Sequence, residues 1–303
     1  MDYEIQNIAM EKIKISVIVP TFNRLELLRS QLTSLLNQTL ASDTYEVLVV
    51  NDGSNDGTEA YLNEMVEEHT NLMVFHNQNG GPARARNTAL GFASAEIIAF
   101  TDDDCVVSSD WLQTILSEFK NGLVGLQGYT YTDLDDVTPL THQIDNRKGH
   151  NSVPTCNAAY RKDLLYEIGG FDETFPYPHN EDADVGWQMQ ERGRVKFCNN
   201  MRVYHPPRKD AFWKVIKRMN ILESEFTLYK KNKALYKKYR DTNPLKHIYC
   251  QVFIKVMWYY TYSRLKYWRR TKLMFQGFAL TAYWYLALIA KSPRYLFLYK
   301  QVR

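Results

Sequence analysis

Short apolar runs and amphipathic stretches alternate along the first hundred residues of the chain. The runs are short and continuous, which is typical of strands buried on both faces. They cover residues 15–19, 47–50, 72–75 and 97–100. Between the runs, leucines recur at helical spacing, most clearly at Leu25, Leu28, Leu32, Leu35 and Leu36. This alternation predicts an α/β fold, with a Rossmann-like, mostly parallel sheet flanked by helices and joined by right-handed crossovers.

Glycine, proline and serine residues indicate where further elements begin and end. Pro82 suits the first position of a helix, and Gly193 suits the end of a helix that begins at about Glu181. Ser109 is a plausible cap for a helix over residues 111–120. Strands are predicted at 123–132, 155–161, 195–198 and 202–204, a polar loop at 138–154, and a basic helix at 211–239.

Polar clusters directly follow three of the first four predicted strands. The clusters are Pro20-Thr21-Phe22-Asn23-Arg24, Asn51-Asp52-Gly53-Ser54 and Thr101-Asp102-Asp103-Asp104. Ligands of open α/β sheets bind beyond the carboxyl ends of the strands. We therefore expect these clusters to meet in one crevice.

Composition and charge narrow the class of protein. Hydrophobic residues make up 45% of the 303 residues, which excludes a disordered chain, and a net charge of +3 gives no reason to expect nucleic acid as a partner. Lys and Arg dominate from Arg208 onward, which suggests a basic surface there. The four cysteines are scattered, which argues against a zinc site and indicates a reducing compartment. Residues 1–14 lack an apolar stretch, so we expect no secretory signal and a cytoplasmic protein.

Asp102, Asp103 and Asp104 form the strongest candidate site. Three adjacent carboxylates repel one another, so a nearby cation is needed to keep all of them ionised. Mg²⁺ or Mn²⁺ typically takes one or two carboxylates and leaves room for substrate phosphates. A solvated acidic turn explains the residues about as well on composition alone. Their position directly after a buried strand favours the site.

Four other positions each have two explanations. Asp52 fits an ordinary Asp-Gly-Ser turn or a ligand contact, and Arg86 fits a surface ion pair or a phosphate contact near a helix N-terminus. Acidic residues in the first turn of the helix at Glu181 are favoured by the helix dipole. One of them, Asp182, could instead be a general base. His205 fits a structural histidine or a metal ligand.

Taken in order, these segments resemble the successive motifs of glycosyltransferase family 2. The matching segments are 17–24 (VIVPTFNR), 49–54 (VVNDGS), 81–87 (GPARARN), 100–104 (FTDDD), 157–161 (NAAYR), 169–173 (GGFDE) and 181–185 (EDADV). Each motif alone is modest, but the ordered set is specific and covers about two thirds of the chain. The resemblance implies a GT-A type fold and transfer of a sugar from a nucleotide-diphosphate sugar, with a uridine diphosphate sugar as the expected donor.

The resemblance also implies a role for each matching polar residue. Nucleotide contacts are implied for Pro20, Thr21, Asn23, Asp52, Arg86, Asp102 and Asp103, with Asp52 at the base and Asp102 at the ribose. Asp104, together with Asp102 and His205, is implied to bind the Mn²⁺ or Mg²⁺ that bridges the donor diphosphate. Asp182 matches the catalytic base, and we expect it to stay ionised at its helix N-terminus. One base without a second carboxylate nucleophile implies a single, inverting displacement.

The chain departs from related processive polysaccharide synthases in one respect. No Gln-x-x-Arg-Trp motif follows the helix at 181–192, and Trp268 is followed rather than preceded by arginines. This favours addition of one or a few sugars to a glycan or lipid-linked acceptor in cell-surface polysaccharide synthesis. We expect a catalytic domain over 1–210, with a nucleotide-binding half at 14–122 and an acceptor half at 123–210, and a helical region at 211–303.

Two rival functions on a similar sheet have less support. A nicotinamide-dependent dehydrogenase is disfavoured because no Gly-x-Gly-x-x-Gly follows the first strand, and a nucleotidyltransferase would be expected to have a Gly- and Arg/Lys-rich loop there. A non-catalytic nucleotide-sugar-binding protein would not need the carboxylates of Asp102, Asp104 and Asp182. Donor hydrolysis separates these alternatives.

The C-terminal region is basic and aromatic. Aromatic residues mingle with Lys and Arg at Trp258, Tyr259, Tyr260, Tyr262, Tyr267 and Trp268, and residues 273–290 carry no charge. This run is marginal for a transmembrane helix, which needs about 20 apolar residues. A helix lying in the membrane interface is favoured over a soluble helical subdomain, and both over a spanning helix. We therefore expect a peripheral protein at the cytoplasmic face of a membrane.

Overall fold

The computed structural model describes residues 13–120, 122–252, 254 and 269–303. An eight-stranded sheet flanked by helices occupies the part up to Tyr204, and helices form most of the described residues from Phe212 onward. The predicted α/β fold with a mostly parallel sheet flanked by helices is therefore confirmed. The predicted absence of a secretory signal at 1–14 falls almost wholly on residues outside the described ranges, as do the aromatic residues predicted at 258–268.

The sheet consists of parallel strands in its first half and mixed strands in its second. The strands are β1 (Ile15–Thr21), β2 (Tyr45–Asn51), β3 (Leu72–His76), β4 (Ile97–Phe100), β5 (Val106–Val107), β6 (Leu123–Tyr131), β8 (Ala158–Arg161) and β9 (Arg194–Tyr204). Their order is β3-β2-β1-β4-β8-β6-β9-β5, and β1, β2, β3 and β4 pair in parallel. A separate pair joins β7 (Thr141–His142) to β10 (Arg208–Lys209). The carboxyl ends of β1, β2 and β4 therefore lie at the same edge of the sheet.

Among the described residues up to Tyr204, six helices accompany the sheet. They are α1 (Leu25–Leu36), α2 (Thr58–Glu68), α3 (Pro82–Phe92), α4 (Trp111–Glu118), α5 (Lys162–Glu167) and α6 (Glu181–Arg192). Pro82 occupies the first turn of α3, and Gly193 follows the last residue of α6, as predicted. The residue before α4 is Asp110 rather than the predicted cap Ser109, and its side chain makes no capping hydrogen bond.

Side chains of the central strands alternate between two apolar cores. Val17 and Val49 face one core with α1 and α4, whereas Ile18 and Leu48 face the other with α3 and α6. All four side chains are fully buried, and each such burial contributes roughly 1.5–3 kcal/mol. Burial on both faces explains why the sequence of these strands is continuously apolar.

The second half of the sheet differs from the predicted elements in three places. Residues Thr155–Asn157 form a turn of 3-10 helix before β8, in place of the start of the predicted strand. The two short strands predicted at 195–198 and 202–204 are one strand, β9, because a register shift against β6 accommodates the polar residues between them. The loop predicted at 138–154 contains the short strand β7.

The single basic helix predicted at 211–239 is wrong. The chain forms α7 (Phe212–Lys217), a 3-10 segment (Arg218–Glu223), α8 (Ser224–Lys231) and α9 (Lys233–Arg240). The break between α8 and α9 has a local cause. Asn232 adopts an extended backbone, and its side chain caps α9 by accepting a hydrogen bond from the Leu235 amide at 3.0 Å.

The proposed division of the chain at residue 210 stays a prediction, and an apolar cluster extends across it. Trp187 of α6 packs against Tyr236 and Tyr239 of α9, with ring centroids 6.1 and 5.2 Å away. Leu228 and Tyr229 of α8 complete the same cluster. The C-terminal helices thus share a core with the sheet-flanking helix α6.

A long apolar helix ends the chain. After α10 (Pro244–Lys246) and a π-helical turn (His247–Val252), α11 covers Thr271–Val302. By length and composition α11 could cross a membrane, since its apolar window has a mean hydropathy of 1.5 and 17% of that window is buried. The buried face contains Gly277, Leu280, Leu288 and Tyr295.

Candidate functional site

Arg86 joins two acidic segments at the carboxyl edge of the sheet. Its guanidinium donates from Nη2 to Asp102 Oδ1 at 3.0 Å and from Nη1 to Glu181 Oε1 at 3.1 Å. Asp102 follows β4, and Glu181 begins α6. The Arg86 side chain is 5% exposed, so both ion pairs are poorly screened by water. Arg86, which is predicted to contact the nucleotide, therefore lies between the Asp-rich turn and the helix start that carries the predicted base Asp182.

The turn at Gly169–Gly170–Phe171 places an aromatic ring against Arg86. The Arg86 guanidinium carbon lies 5.4 Å from the centre of the Phe171 ring. Asn87 anchors the turn, because its Oδ1 accepts from the Phe171 amide and its Nδ2 donates to the Phe171 carbonyl, both at 2.8 Å. Gly170 has φ +70°, and a Cβ there would lie 2.6 Å from Asn87 Oδ1. Only glycine fits this contact without displacing Asn87.

Asp103 is buried and bonded to the end of β1. Its carboxylate accepts hydrogen bonds from Thr21 Oγ1 at 2.8 Å and from Arg24 Nη1 at 2.6 Å. Burial raises the pKa of Asp103 to about 6, although Arg24 opposes the shift. Asp103 thus fixes the loop after β1 to the loop after β4. This gives the residue a structural role, and its contact with a nucleotide stays a prediction.

Asp104 lies among cations and one histidine. His205 Nε2 is 3.5 Å from Asp104 Oδ1, and both side chains are at least 96% buried. Arg24 Nη1 lies 3.3 Å from Asp104 Oδ2, and Arg208 Nη1 bonds to the same oxygen. Cys105 is close enough to complete a three-residue group with Asp104 and His205. A hydrogen bond with Cys156, together with burial, raises the pKa of the Cys105 thiol and disfavours its thiolate form.

The Asp104–His205 pair fits a divalent cation. One carboxylate oxygen and one imidazole nitrogen leave positions open for phosphate oxygens and water, which is the ligand pattern that Mn²⁺ or Mg²⁺ takes in phosphate-binding sites. Asp102, the third predicted ligand, is not in this group, because its carboxylate bonds to Arg86. Its metal role stays a prediction.

Asp182 lies half-buried in the first turn of α6. Burial, the neighbouring Glu181 and Asp102 raise its pKa to about 7, against the opposing effect of Arg86 and of the hydrogen bond from the Ala183 amide. The expectation that Asp182 stays fully ionised is therefore wrong near neutral pH, because burial and like charges outweigh the helix dipole. A pKa near the working pH still suits a general base.

Asp52 and Asn23 hold the loops around the predicted nucleotide pocket. The carboxylate of Asp52 accepts hydrogen bonds from the amides of Gly80 and Gly81 at 2.9 and 2.8 Å, which fixes the start of α3 to the end of β2. Asn23 Oδ1 accepts from the Asn55 amide at 2.8 Å, which joins the loops after β1 and β2. Pro20 is partly buried at the end of β1. The predicted contacts of these residues with a nucleotide stay predictions.

The structure thus brings most of the predicted residues into one network at one edge of the sheet. Three members were not predicted as site residues: Arg24, Glu181 and Arg208. Arg24 and Glu181 stand inside matched motifs, next to predicted residues, and could have been found there. Arg208 carries no such signal, because it reaches Asp104 only through the pairing of β10 with β7.

Comparison with known proteins agrees with this geometry. The profile of glycosyl transferase family 2 matches residues 16–178. Glycosyltransferase AglE of Haloferax volcanii is 28% identical over 204 residues, which are 64% of this chain and 67% of AglE. The minor teichoic acid biosynthesis protein GgaB of Bacillus subtilis is 34% identical over 211 residues, which are 65% of this chain but 23% of GgaB. The matched region is thus only a small part of the longer relative.

Solved structures share the fold. The mannosyltransferase PcManGT from Pyrobaculum calidifontis, in complex with GDP-Man and Mn²⁺, superposes with a TM-score of 0.61 at 20% identity, over 96% of this chain and 82% of PcManGT. Residues 1–349 of TarS from S. aureus, in complex with UDP, give a TM-score of 0.55 at 21% identity, over 72% of this chain and 66% of that structure. From its sequence match and its GT-A type fold, the chain belongs to glycosyltransferase family 2.

Proposed function

We propose that this protein is a metal-dependent, inverting glycosyltransferase that moves one sugar at a time from a nucleotide-diphosphate sugar to a glycan or lipid-linked acceptor at the cytoplasmic face of a membrane. The observation that carries the proposal is the charged network at the carboxyl edge of the sheet. It extends from His205 and Asp104, through Arg24 and Asp103, to Asp102, Arg86 and the Glu181–Asp182 pair. A non-catalytic binding protein would not need a carboxylate whose pKa is tuned to about 7.

Asp182 is proposed as the base that accepts the proton of the attacking acceptor hydroxyl. Of the two adjacent carboxylates, Glu181 is paired with the Arg86 guanidinium, whereas Asp182 accepts a neutral hydrogen bond from the Ala183 amide, so we assign the role of base to Asp182. Both carboxylates lie in the first turn of one helix. We propose that Asp182 acts as the single base of one displacement, which inverts the anomeric centre.

Asp104 and His205 are proposed to hold the divalent cation. When bound, Mn²⁺ or Mg²⁺ would neutralise charge on the diphosphate leaving group. Asp104→Ala removes the carboxylate but keeps the imidazole, so Mn²⁺ binding in the presence of UDP, measured by titration calorimetry or electron paramagnetic resonance, should weaken strongly. Glu64→Gln on the exposed face of α2 is the control. Unchanged Mn²⁺ affinity in Asp104→Ala would remove the metal assignment.

The donor is proposed to be a nucleotide-diphosphate sugar, with uridine diphosphate as the first nucleotide to test. TarS was crystallised with UDP and PcManGT with GDP-Man, and a panel therefore needs both nucleotides. Pro20, Thr21, Asn23 and Asp52 line the loops where the nucleotide would lie. A donor that binds the folded protein raises its melting temperature by mass action, so thermal shifts with Mn²⁺ identify it.

The exposed face of α11 is proposed to lie on the membrane surface. Phe275, Leu286 and Ile289 are 67–69% exposed, and Phe278 and Phe297 lie on the same helix with more than half of their side-chain surface exposed. Arg269, Arg270, Lys272, Lys291, Arg294 and Lys300 flank or interrupt this surface. An amphipathic helix with aromatic residues on one side and basic residues nearby is typical of attachment to anionic lipid.

The opposite face of α11 favours lying on the membrane over crossing it. Tyr295 and Leu288 are buried against the preceding helices, and Arg294 pairs with Glu223 at 2.7 Å. A spanning orientation would break these contacts. In liposome co-sedimentation with anionic vesicles, Leu286→Lys with Ile289→Lys should reduce pelleting strongly, whereas Val66→Lys on α2 should not. Equal pelleting of all forms would exclude attachment through α11.

Sugar transfer itself tests the central proposal. With Mn²⁺ and the matching donor, the wild type should hydrolyse or transfer the donor. Asp104→Ala should lose donor binding, and Asp182→Asn should keep binding but lose transfer. Donor binding without turnover in the wild type would favour the non-catalytic alternative. Unchanged turnover in Asp182→Asn would remove Asp182 as the base.

A further inference from the structure

Asn180, two residues before the proposed base, adopts a rare backbone conformation. It precedes α6 with φ +75° and ψ −4°, in the left-handed region that asparagine tolerates better than most residues. An asparagine before a helix normally caps it by accepting from an amide of the first turn. Here the side chain makes no capping hydrogen bond. The polar side chain of Asn180 is therefore used elsewhere.

Two residues of the C-terminal helices hold that side chain. Asn180 Nδ2 donates to Glu225 Oε1 of α8 at 2.9 Å, and Arg240 of α9 donates from Nη2 to Asn180 Oδ1 at 3.1 Å. Glu225 and Arg240 also pair with each other at 3.3 Å. Both ends of the Asn180 amide are thus bonded to one ion pair that lies more than 40 residues later in the sequence.

Glu225 is itself rigidly held. It is 1% exposed and accepts a hydrogen bond from the Tyr236 hydroxyl at 2.7 Å. Burial raises the pKa of Glu225, but Arg240 and His247 outweigh that effect, so the net shift is downward and the carboxylate is ionised. A buried, fully bonded anion has little freedom to move, because displacing it would leave its charge unpaired.

A second contact joins the same elements beside Asp182. Lys231, the last residue of α8, bonds to Asp184 at 2.7 Å and to Asp172 at 2.9 Å. Asp184 stands in the first turn of α6, and Asp172 follows the turn that supports Arg86. The C-terminal helices therefore contact the first turn of α6, which carries the proposed base, at a second point.

We propose that Glu225 and Arg240 are positioning residues for Asp182, acting through the side chain of Asn180. They fix the left-handed residue that sets where α6 begins, and hence where the Asp182 carboxylate points. This inference rests on the proposed function, since it assigns a device that serves the same base. Catalytic geometry is sensitive to such support, because a displacement of about 1 Å can cost about 100-fold in rate.

Asn180→Gly separates the side-chain contact from the backbone conformation. Glycine adopts φ +75° readily, so this variant keeps the backbone but loses both hydrogen bonds. We expect kcat to fall by about tenfold or more, with the donor KM and the calorimetric donor affinity within about twofold of the wild type. Glu225→Ala should show the same pattern, and Glu225→Gln, which can still accept from Asn180, should recover most of the rate.

Glu191→Ala is the matched control. Glu191 also joins α6 to α9, through Lys238 at 2.6 Å and the Tyr239 hydroxyl at 2.9 Å, but in the last turns of α6, away from Asp182. It should keep kcat within about twofold. The acid limb of the pH profile of kcat/KM should move to lower pH in Asn180→Gly, because a more mobile first turn of α6 lets water reach Asp182. The same limb should stay in place in Glu191→Ala.

Several outcomes overturn the proposal. If Asn180→Gly keeps the wild-type kcat, or if Glu191→Ala loses as much as Asn180→Gly, the contact has no special role in positioning. A loss of donor affinity equal to the loss of kcat would indicate general destabilisation of the site. If the wild type transfers no sugar from any donor, the proposed function fails and this proposal with it. If the wild type transfers sugar and Asn180→Gly has the same kcat, the positioning role is overturned and the proposed function is not.

Discussion

Replacing Asp182 by asparagine should stabilise the folded protein at high pH while it removes sugar transfer. In the folded protein the pKa of Asp182 is about 7, compared with an ordinary value of 3.8. The folded state therefore binds this proton more tightly than the unfolded state. Its contribution to stability is fully present below pH 3.8 and is lost as the pH rises to about 7. The asparagine variant has no proton to lose at this position.

The size of the effect follows from the shift. Each pKa unit corresponds to about 1.4 kcal/mol, so a shift of roughly three units corresponds to about 4 kcal/mol as an upper bound. Between pH 5 and pH 8, roughly two of these units are titrated, which corresponds to at most about 3 kcal/mol. At about 2–4 °C per kcal/mol for a chain of this class, the melting temperature of Asp182→Asn should gain several degrees on the wild type over that range.

Melting temperatures of the wild type and Asp182→Asn at pH 5, 6, 7 and 8, without metal or donor, measure this difference. Altered hydrogen bonds of the asparagine add an offset to the melting temperature that does not depend on pH. The prediction is therefore tested by how the difference in melting temperature between the two proteins changes with pH. Asp103, with a pKa of about 6, titrates in both proteins and cancels. Glu64→Gln, an exposed change on α2, should show no slope. A difference between wild type and Asp182→Asn that stays flat or shrinks with rising pH would refute the assigned burial and charge repulsion.

Three further predictions concern the same network. Replacing Arg86 by alanine leaves the carboxylates of Asp102 and Glu181 without their cation. The free energy of unfolding in urea should therefore fall by about 3–5 kcal/mol. The control Arg161→Ala breaks an exposed ion pair and should change the free energy of unfolding by less than about 1 kcal/mol. The kcat/KM of the wild type should fall about tenfold per pH unit below an apparent pKa near 7, because Asp182 must lose its proton to act as a base; a profile flat from pH 5 to 8 would contradict this. Gly170→Ala should destabilise the protein more than Gly169→Ala in thermal unfolding, since both glycines have positive φ but only the Cβ at 170 meets a side chain; equal losses would show that Asn87 yields freely.

The parallel half of the sheet could be predicted because its elements are local. Each strand from β1 to β4 contains a continuous apolar run, and α3 begins at the predicted residue, Pro82. The convergence of Asp103 with Thr21 and Arg24 followed from a rule about strand ends rather than from any pairwise signal. Sequence patterns are reliable where one element determines its own boundaries.

What could not be predicted depends on contacts between distant residues. The sequence of β8 does not reveal that it lies antiparallel between β4 and β6. The protonation of Asp182 depends on burial by segments far along the chain. The break at Asn232 was missed because the apolar spacing continues through it, although an asparagine before a helix was a usable signal.

Arg24 and Arg208 give the acidic edge of the sheet its own counter-ions. Both guanidiniums contact Asp104, where the cation is proposed to bind. Asp104 therefore has positively charged partners within the chain before any substrate arrives. A free metal ion must compete with two tethered positive groups, which weakens its affinity for the empty enzyme. The diphosphate of a donor would pair with those two arginines in place of Asp104 and leave the Asp104 carboxylate available to the metal ion. Metal and donor should therefore bind cooperatively, each strengthening the binding of the other.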